Sequence, residues 1–292
     1  MKIVIADDLD EIARRKFEKL GDLVYKPTNL HLAVQDADVL VVRSTTKVDE
    51  RVLDAAKRLK VVARAGVGLD NIDVLACERG GIKVIDAAGA TTSSVAELTI
   101  GLIILMLRKV LTAHDFAKQK IWKRNELIGN ELRGKTLGIV GLGRIGSEVA
   151  RIAKSMNIKV IAYDPYVKDS ENARLVTLDE LLRNSDVVSI HAMLTSQTVG
   201  MINSESIGKM KDGVYLVNTS RGALIDEEAL YAALKSGKIK AAALDVLAQQ
   251  PYDGKLLECD NVIITSHIGA NTAEAQERIS DELINKLKII LK

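Results

Sequence analysis

The stretch KTLGIVGLGRIGSEVARIAKSMNIKVIAYDPY, residues 135–166, decides the fold. It sets an apolar run (136–140) ahead of Gly141, Gly143 and Gly146 in a GxGxxG pattern. A helix-period segment (145–154), a second apolar run (159–163) and Asp164 follow. The glycine pattern alone marks any tight strand-to-helix turn. Its context narrows it to a dinucleotide-binding βαβ unit, in which an acidic residue stands about 20 residues on. Each position has a physical task. Gly141 permits the tight turn, Gly143 lets the backbone approach a pyrophosphate, and Gly146 lets the helix pack closely on the strand. The N–H groups at the helix start, at Arg144 and Ile145, face the anion along the positive end of the helix dipole. Asp164 accepts from both adenine-ribose hydroxyls and repels a 2′-phosphate, which favours NAD over NADP. A methyltransferase uses a similar loop and carboxylate for S-adenosylmethionine, and the chemistry further along the chain disfavours that reading.

Outward from this unit, Val- and Ile-rich runs alternate with helix-period segments from end to end. Strands are expected at 3–6, 39–42, 61–63 and 83–85, and again at 136–140, 159–163, 187–191, 214–218, 241–245 and 262–265. Helices are expected at 11–20, 50–59, 145–154 and 227–236. Near-continuous apolar strands between helices read as parallel sheets covered on both faces, a doubly wound α/β plan. Ser94 and Glu97 form an SxxE capping box for a long helix that runs on past His114. That helix separates the two series of strands, and a last helix at 273–291 packs back on the first domain. The expectation is a smaller discontinuous domain, 1–91 plus 269–292, around a larger one at 92–268.

At 292 residues, 47% hydrophobic and 27% charged, the chain suits two globular domains. Its net charge of +2, from 41 basic and 39 acidic side chains, contains no block that reads as a nucleic-acid arm. The start MKIVIADD is too short for a signal peptide. LTIGLIILML, 98–107, is closed by Arg108 and Lys109 well before the roughly 20 residues that a membrane span needs. Cys77 and Cys259 lack CxxC or metal spacing and suit reduced thiols in the cytoplasm. The histidines at 31, 114, 191 and 267 have neither HxxxH spacing nor cysteine company, so no metal is expected.

A second constellation lies towards the C-terminus. VYLVNTSRGALIDEEAL, 214–230, places Arg221 just beyond a buried strand, where it is either a snorkelling surface cation or a ligand fork. Ligands bind at the carboxyl edge of parallel sheets, and Asp245 and His267 end two further strands there. Three polar groups thus converge on one edge.

With these residues the chain resembles the D-isomer-specific 2-hydroxyacid dehydrogenases, and within them the 3-phosphoglycerate dehydrogenases. VVRSTTKVDERVL, VVARAGVGLDNID, ATTSSVAELTIGL, RGKTLGIVGLGRIG, VNTSRGALIDEEAL, AALDV and SHIGANTAEAQ carry the likeness over essentially the whole chain. The resemblance implies a flavodoxin-like substrate domain, a Rossmann NAD domain, and homodimers built on the NAD domains. It implies that Arg221 binds the substrate carboxylate and oxo group and that His267 is the acid/base. A hydride moving between C2 and nicotinamide needs a proton on the oxygen, and imidazole titrates in the right range. The NAD contacts it implies are Val67, Gly141, Gly143, Arg144, Ile145, Gly146, Asp164, Ala192, Thr219, Ser220, Arg221, Asp245, His267, Ile268, Gly269 and Ala270. Val67 and Gly68 would offer backbone N–H groups to the substrate carboxylate. Arg43, Arg64 and, from the other subunit, Arg124 would face a phosphate, or else be plain surface charges.

The chain departs from that pattern at Gln250, where the family places a glutamate that pairs with the histidine. An amide still orients the imidazole but does not stabilise its protonated form by charge, so reduction of the oxo acid should need lower pH. Glu258 is a possible substitute partner. Met193 replaces a usual proline, and an end at Lys292 gives no expectation of serine feedback through an appended domain. The leading expectation is NAD-dependent oxidation of D-3-phosphoglycerate. The alternatives are a glyoxylate or hydroxypyruvate reductase and an NAD-responsive non-catalytic binding protein. The formate-oxidising branch, whose histidine also pairs with glutamine, ranks low.

Overall fold

Over residues 1–291, which the computed structural model describes, the Val/Ile runs pair as parallel strands in two sheets. The first holds β1 (Lys2–Ile5), β2 (Asp22–Tyr25), β3 (Val39–Val42), β4 (Val61–Arg64) and β5 (Lys83–Asp86), in the order β2-β1-β3-β4-β5. That is the flavodoxin-like order. The second holds β6 (Thr136–Val140), β7 (Lys159–Tyr163), β8 (Arg174–Leu175), β9 (Val187–Ile190), β10 (Val214–Asn218), β11 (Ile239–Leu244) and β12 (Val262–Ile264). Its order, β12-β11-β10-β9-β6-β7-β8, is the dinucleotide-binding arrangement with one strand added at the outer edge. Strand order reverses between β6 and β9, the switch point where ligands of such sheets bind.

Burial explains why these runs are strands of parallel sheets. Every residue of β3, β4, β9 and β10 is buried, so both faces are covered by helices. A fully buried Val, Leu or Ile side chain contributes about 1.5–3 kcal/mol, which outweighs the modest intrinsic preferences of short segments. The two strands that the sequence did not lead one to expect, β2 and β8, are edge strands. β2 is only half-buried and β8 is two residues long, so neither carries an apolar run.

The chain divides into one unit of Met1–Ser94 with the segment from Ala270 onward, and another of Val95–Gly269. The last helix, Ala273–Ile290, buries Ile279, Leu283, Ile284 and Leu287 in the first unit's core. Thr272 caps it by accepting from Ala275 N–H at 3.1 Å.

Two expectations for the long helix need correction. It begins at Thr92, so Ser94 lies inside its first turn, and the Ser94 hydroxyl sits 2.9 Å from that of Thr272 instead of capping. It also ends at Leu107. The Leu107 carbonyl accepts from Asn130 N–H at 2.8 Å, and Lys109 adopts a left-handed conformation. His114 therefore belongs to a separate helix, Val110–Lys118. No helix among the described residues is long and apolar enough to cross a membrane.

Candidate active site

The register of the second sheet aligns the strand ends. Val140 pairs with both Tyr163 and Ile190, Asn218 with Ile190 and Leu244, and Leu244 with Ile264. Whatever follows those residues emerges in one row. The row comprises Gly141, Asp164, His191 and Ala192, Thr219 to Arg221, Asp245, and Thr265 to His267.

The three glycines of the loop differ in what they avoid. Gly141 has φ +92, and a Cβ there would lie 2.6 Å from Ala192 N. A Cβ at Gly146 would lie 2.1 Å from the Gly141 carbonyl oxygen, so the helix Arg144–Ser155 touches the turn directly. At Gly143 the backbone is extended, and a Cβ would meet nothing within 4 Å. Protein packing therefore does not require that glycine. The open face does suit the close approach of a pyrophosphate, and among the described residues no side chain caps the helix that Gly143 starts. Asp164 accepts from Leu142 N–H at 2.8 Å and Tyr166 N–H at 2.9 Å, which fixes its carboxylate beside the loop. These residues fit a dinucleotide.

Beyond β10, the loop that carries Arg221 is held from within. Asn218, fully buried, accepts from Ser220 N–H and donates to the Arg221 carbonyl at 2.8 Å. Ser220 Oγ donates to the Ala192 carbonyl at 2.7 Å, tying this loop to the end of β9. Arg221 Nη1 donates to the Ser220 carbonyl at 2.7 Å. A Cβ at Gly222 would lie 2.0 Å from the Leu247 carbonyl carbon, so the backbones after β10 and β11 are in contact. Thr219 turns its hydroxyl inward to Thr99 at 2.9 Å, which leaves its backbone for ligand contact. His191 Nε2 lies 2.8 Å from the buried Ser189 hydroxyl, and burial lowers its pKa to about 4. The ring is neutral near pH 7 and shapes the edge without charge.

Asp245 is 1% exposed and gathers the turn after β12. Its carboxylate accepts from the Thr265 hydroxyl at 2.6 Å, Ile268 N–H at 2.8 Å and Gly269 N–H at 2.9 Å. These bonds hold His267 at φ +59, a region His adopts more readily than bulky residues. His267 Nδ1 is 3.2 Å from Gln250 Oε1. Glu258, the other possible partner, instead meets the Tyr231 hydroxyl at 3.3 Å. Ala270 accepts from Gln276 at 2.8 Å, within the first unit.

In the first unit, Arg64 is 6% exposed and donates to the Ala65 carbonyl at 3.0 Å beneath Gly66. Val67 and Gly68 follow on the half-buried loop after β4, with Gly68 at φ +84. Arg43 donates to Asn271 at 2.8 Å and lines a cavity of about 570 Å³ with Asp8, Asp10, Glu11 and Glu277. Three of these carboxylates have cation partners of their own, Asp8 in Lys26, Glu11 in Arg15 and Glu277 in Lys16. The hydrogen bonds of Lys26 and Tyr25 hold Asp8 below the usual carboxylate range, so it is charged. Arg124 lies exposed at the start of a short 3-10 turn in the second unit. Among the described residues no group of His, Cys, Asp and Glu is arranged to hold a metal ion.

Sequence reasoning passed over Asn218, whose only signal is a buried amide at a strand end, and Thr265 and Ser189, which brace neighbours without touching a ligand position.

Residues 100–269 match the family model for D-isomer specific 2-hydroxyacid dehydrogenase, NAD binding domain. The chain is 49% identical to a hydroxypyruvate reductase of Thermotoga maritima, over 98% of this chain and 97% of that protein. It is 43% identical to a D-3-phosphoglycerate dehydrogenase of Archaeoglobus fulgidus, over 99% of this chain but 58% of that longer protein. It thus spans little more than half the length of that relative and of others bearing the same name. The crystal structure of a D-lactate dehydrogenase from Aquifex aeolicus with NAD and lactic acid superposes with a TM-score of 0.90 at 32% identity, covering 100% of this chain and 95% of that one.

Proposed function

The chain belongs to the D-isomer specific 2-hydroxyacid dehydrogenase family, whose members are NAD-dependent oxidoreductases, and on that premise we propose that it interconverts hydroxypyruvate and D-glycerate. The observation that carries this reading is the shared row, on one sheet edge, of the glycine loop, Arg221 and the Gln250-bound His267. NADH, when bound, would supply the hydride for the oxo carbon. The glycine loop and the start of its helix would hold its pyrophosphate, and Asp164 its adenine ribose. Arg221 offers its planar fork to the substrate carboxylate and carbonyl oxygen. Gln250 Oε1 only accepts, so His267 Nδ1 carries a hydrogen, and the exchangeable proton is the one on Nε2. From there it passes to the oxygen on C2 as the carbonyl is reduced. In the first unit, Val67 and Gly68 are assigned to the substrate carboxylate by resemblance.

The choice of an unphosphorylated acid is supported by the 49% identity to the Thermotoga hydroxypyruvate reductase. D-3-phosphoglycerate is the second reading, favoured by the matched arginines Arg43, Arg64 and Arg124 and by the names of several relatives. Steady-state kcat/KM with hydroxypyruvate against 3-phosphohydroxypyruvate separates them. Preference for the phosphorylated acid transfers the assignment, and serine biosynthesis with it, to the second reading.

Asp164→Asn removes the charge and one of the two acceptor oxygens, keeping the other for Leu142 N–H, and is expected to narrow the preference for NADH over NADPH by about tenfold. An unchanged cofactor ratio would show that the charge does not discriminate. Gln250→Glu places a carboxylate against the imidazole and favours its protonated form. The pH above which oxo-acid reduction declines should rise by about one unit, and a superimposable profile would refute this charge argument. Exposed Val110, Leu111, Trp122 and Ile128, on or just beyond one helix of the second unit, suit a homodimer contact. Sedimentation should find a dimer, and a monomer at micromolar concentration rules it out. A cytoplasmic location accords with two free, buried cysteines.

A further inference from the structure

We infer that Glu227 is a positioning residue for the acid/base pair, anchoring the segment that delivers Gln250 to His267; the inference rests on the proposed hydride-transfer function. Residues 248–251 are exposed and form no helix or strand, yet Gln250 has to meet the imidazole. The segment is gripped from the helix Glu227–Ser236. Ala248 N–H donates to Glu227 Oε1 at 2.9 Å, two residues before Gln250. Tyr252, two residues after it, has its phenol pushed above the ordinary range by burial, with the Glu227 carboxylate contributing. The phenol therefore stays protonated beside that carboxylate while accepting from Leu256 N–H at 3.3 Å. The Ala248 bond thus holds the segment two residues ahead of Gln250.

The same residue is tied to the other arm of the site. Glu227 opens the helix directly after the Arg221 loop, where Asp226 caps by accepting from Glu228 and Ala229 N–H at 3.1 Å. Gly222, next to Arg221, packs against the backbone of Leu247 and Ala248. The Arg221 loop and the segment that delivers Gln250 therefore touch through their backbones, and Glu227 ties that segment to the helix that follows the loop.

The test compares Glu227→Ala with Glu227→Gln, which keeps the acceptor oxygen, each alone and combined with Gln250→Glu. Glu227→Ala is expected to lower kcat with hydroxypyruvate roughly 10–100-fold, as displaced catalytic geometry does, with the NADH dissociation constant unchanged. It should also abolish the pH shift that Gln250→Glu produces, and Glu227→Gln should recover most of the lost rate. The His267 imidazole followed by NMR reads the same coupling without turnover. In the Glu227→Ala background its titration should no longer respond to Gln250→Glu. If that response persists, the anchor is refuted whatever the substrate. If it vanishes while the wild-type protein turns over no 2-oxo acid, the anchor stands and the proposed function fails. A Glu227→Gln variant as impaired as Glu227→Ala would also overturn the proposal, since charge and not the acceptor would then matter.

Discussion

Replacement of His267 by asparagine is expected to lower kcat for NADH-dependent reduction of hydroxypyruvate by about 10²–10⁴, the usual worth of a positioned general acid. The choice of asparagine matters. Position 267 has φ +59, which asparagine tolerates and alanine does not, so the Asp245-braced turn should survive. The asparagine amide can still donate towards Gln250, leaving the missing titrating proton as the principal change. NADH affinity should stay within about twofold, because the glycine loop and Asp164 are untouched. The residual rate should lose the pH dependence attributed to the ring. A variant that keeps kcat within about tenfold of wild type would show that the proton comes from elsewhere.

Arg221→Lys should be nearly as damaging, despite conserving charge. The guanidinium is a rigid fork whose one arm is fixed on the Ser220 carbonyl, in a loop shaped by buried Asn218. A lysine ammonium is a flexible point charge that cannot present two parallel donors to a carboxylate and its neighbouring oxo group. Loss of such a preorganised donor costs about 10²–10³ in rate, and kcat/KM is expected to fall by that factor, with KM bearing a large share. The pH profile should remain where it was, since the His267–Gln250 pair is intact. This separates the variant from His267→Asn. A fall of less than about threefold would mean that the carboxylate is bound by something other than residue 221.

How much of this was legible in the sequence follows from what kind of force sets each feature. The strands at 39–42, 136–140 and 214–218 could be read to the residue because their buried positions leave an almost continuous apolar run, and the strand at 159–163 by its buried centre, Ile161 and Ala162. Edge strands at Asp22–Tyr25 and Arg174–Leu175 left no such run, since pairing on one side sets them. The helix from Thr92 misled for a related reason. Its SxxE pattern is a local signal, but the Ser94 hydroxyl has a tertiary partner in Thr272, and its end is set by Asn130. In the site, Gly141 and Gly146 announced themselves through tight contacts, and Arg221 and His267 through their places at strand ends. Asp245 was legible as a position but not as a brace. Nothing in its neighbours' identity tells that its oxygens gather the backbone of residues 268 and 269. Asn218 and Glu227 were hidden altogether, because each acts on backbone atoms remote from any motif.

Arg221 and His267, aligned beside the dinucleotide loop, are proposed to carry out reduction of a 2-oxo acid. The most direct test is NADH oxidation by the purified wild-type protein with hydroxypyruvate, run beside a measurement of NADH binding. Tight binding with sustained turnover that yields D-glycerate is the expected result. Tight NADH binding without turnover of hydroxypyruvate, its phosphate ester or glyoxylate would contradict it.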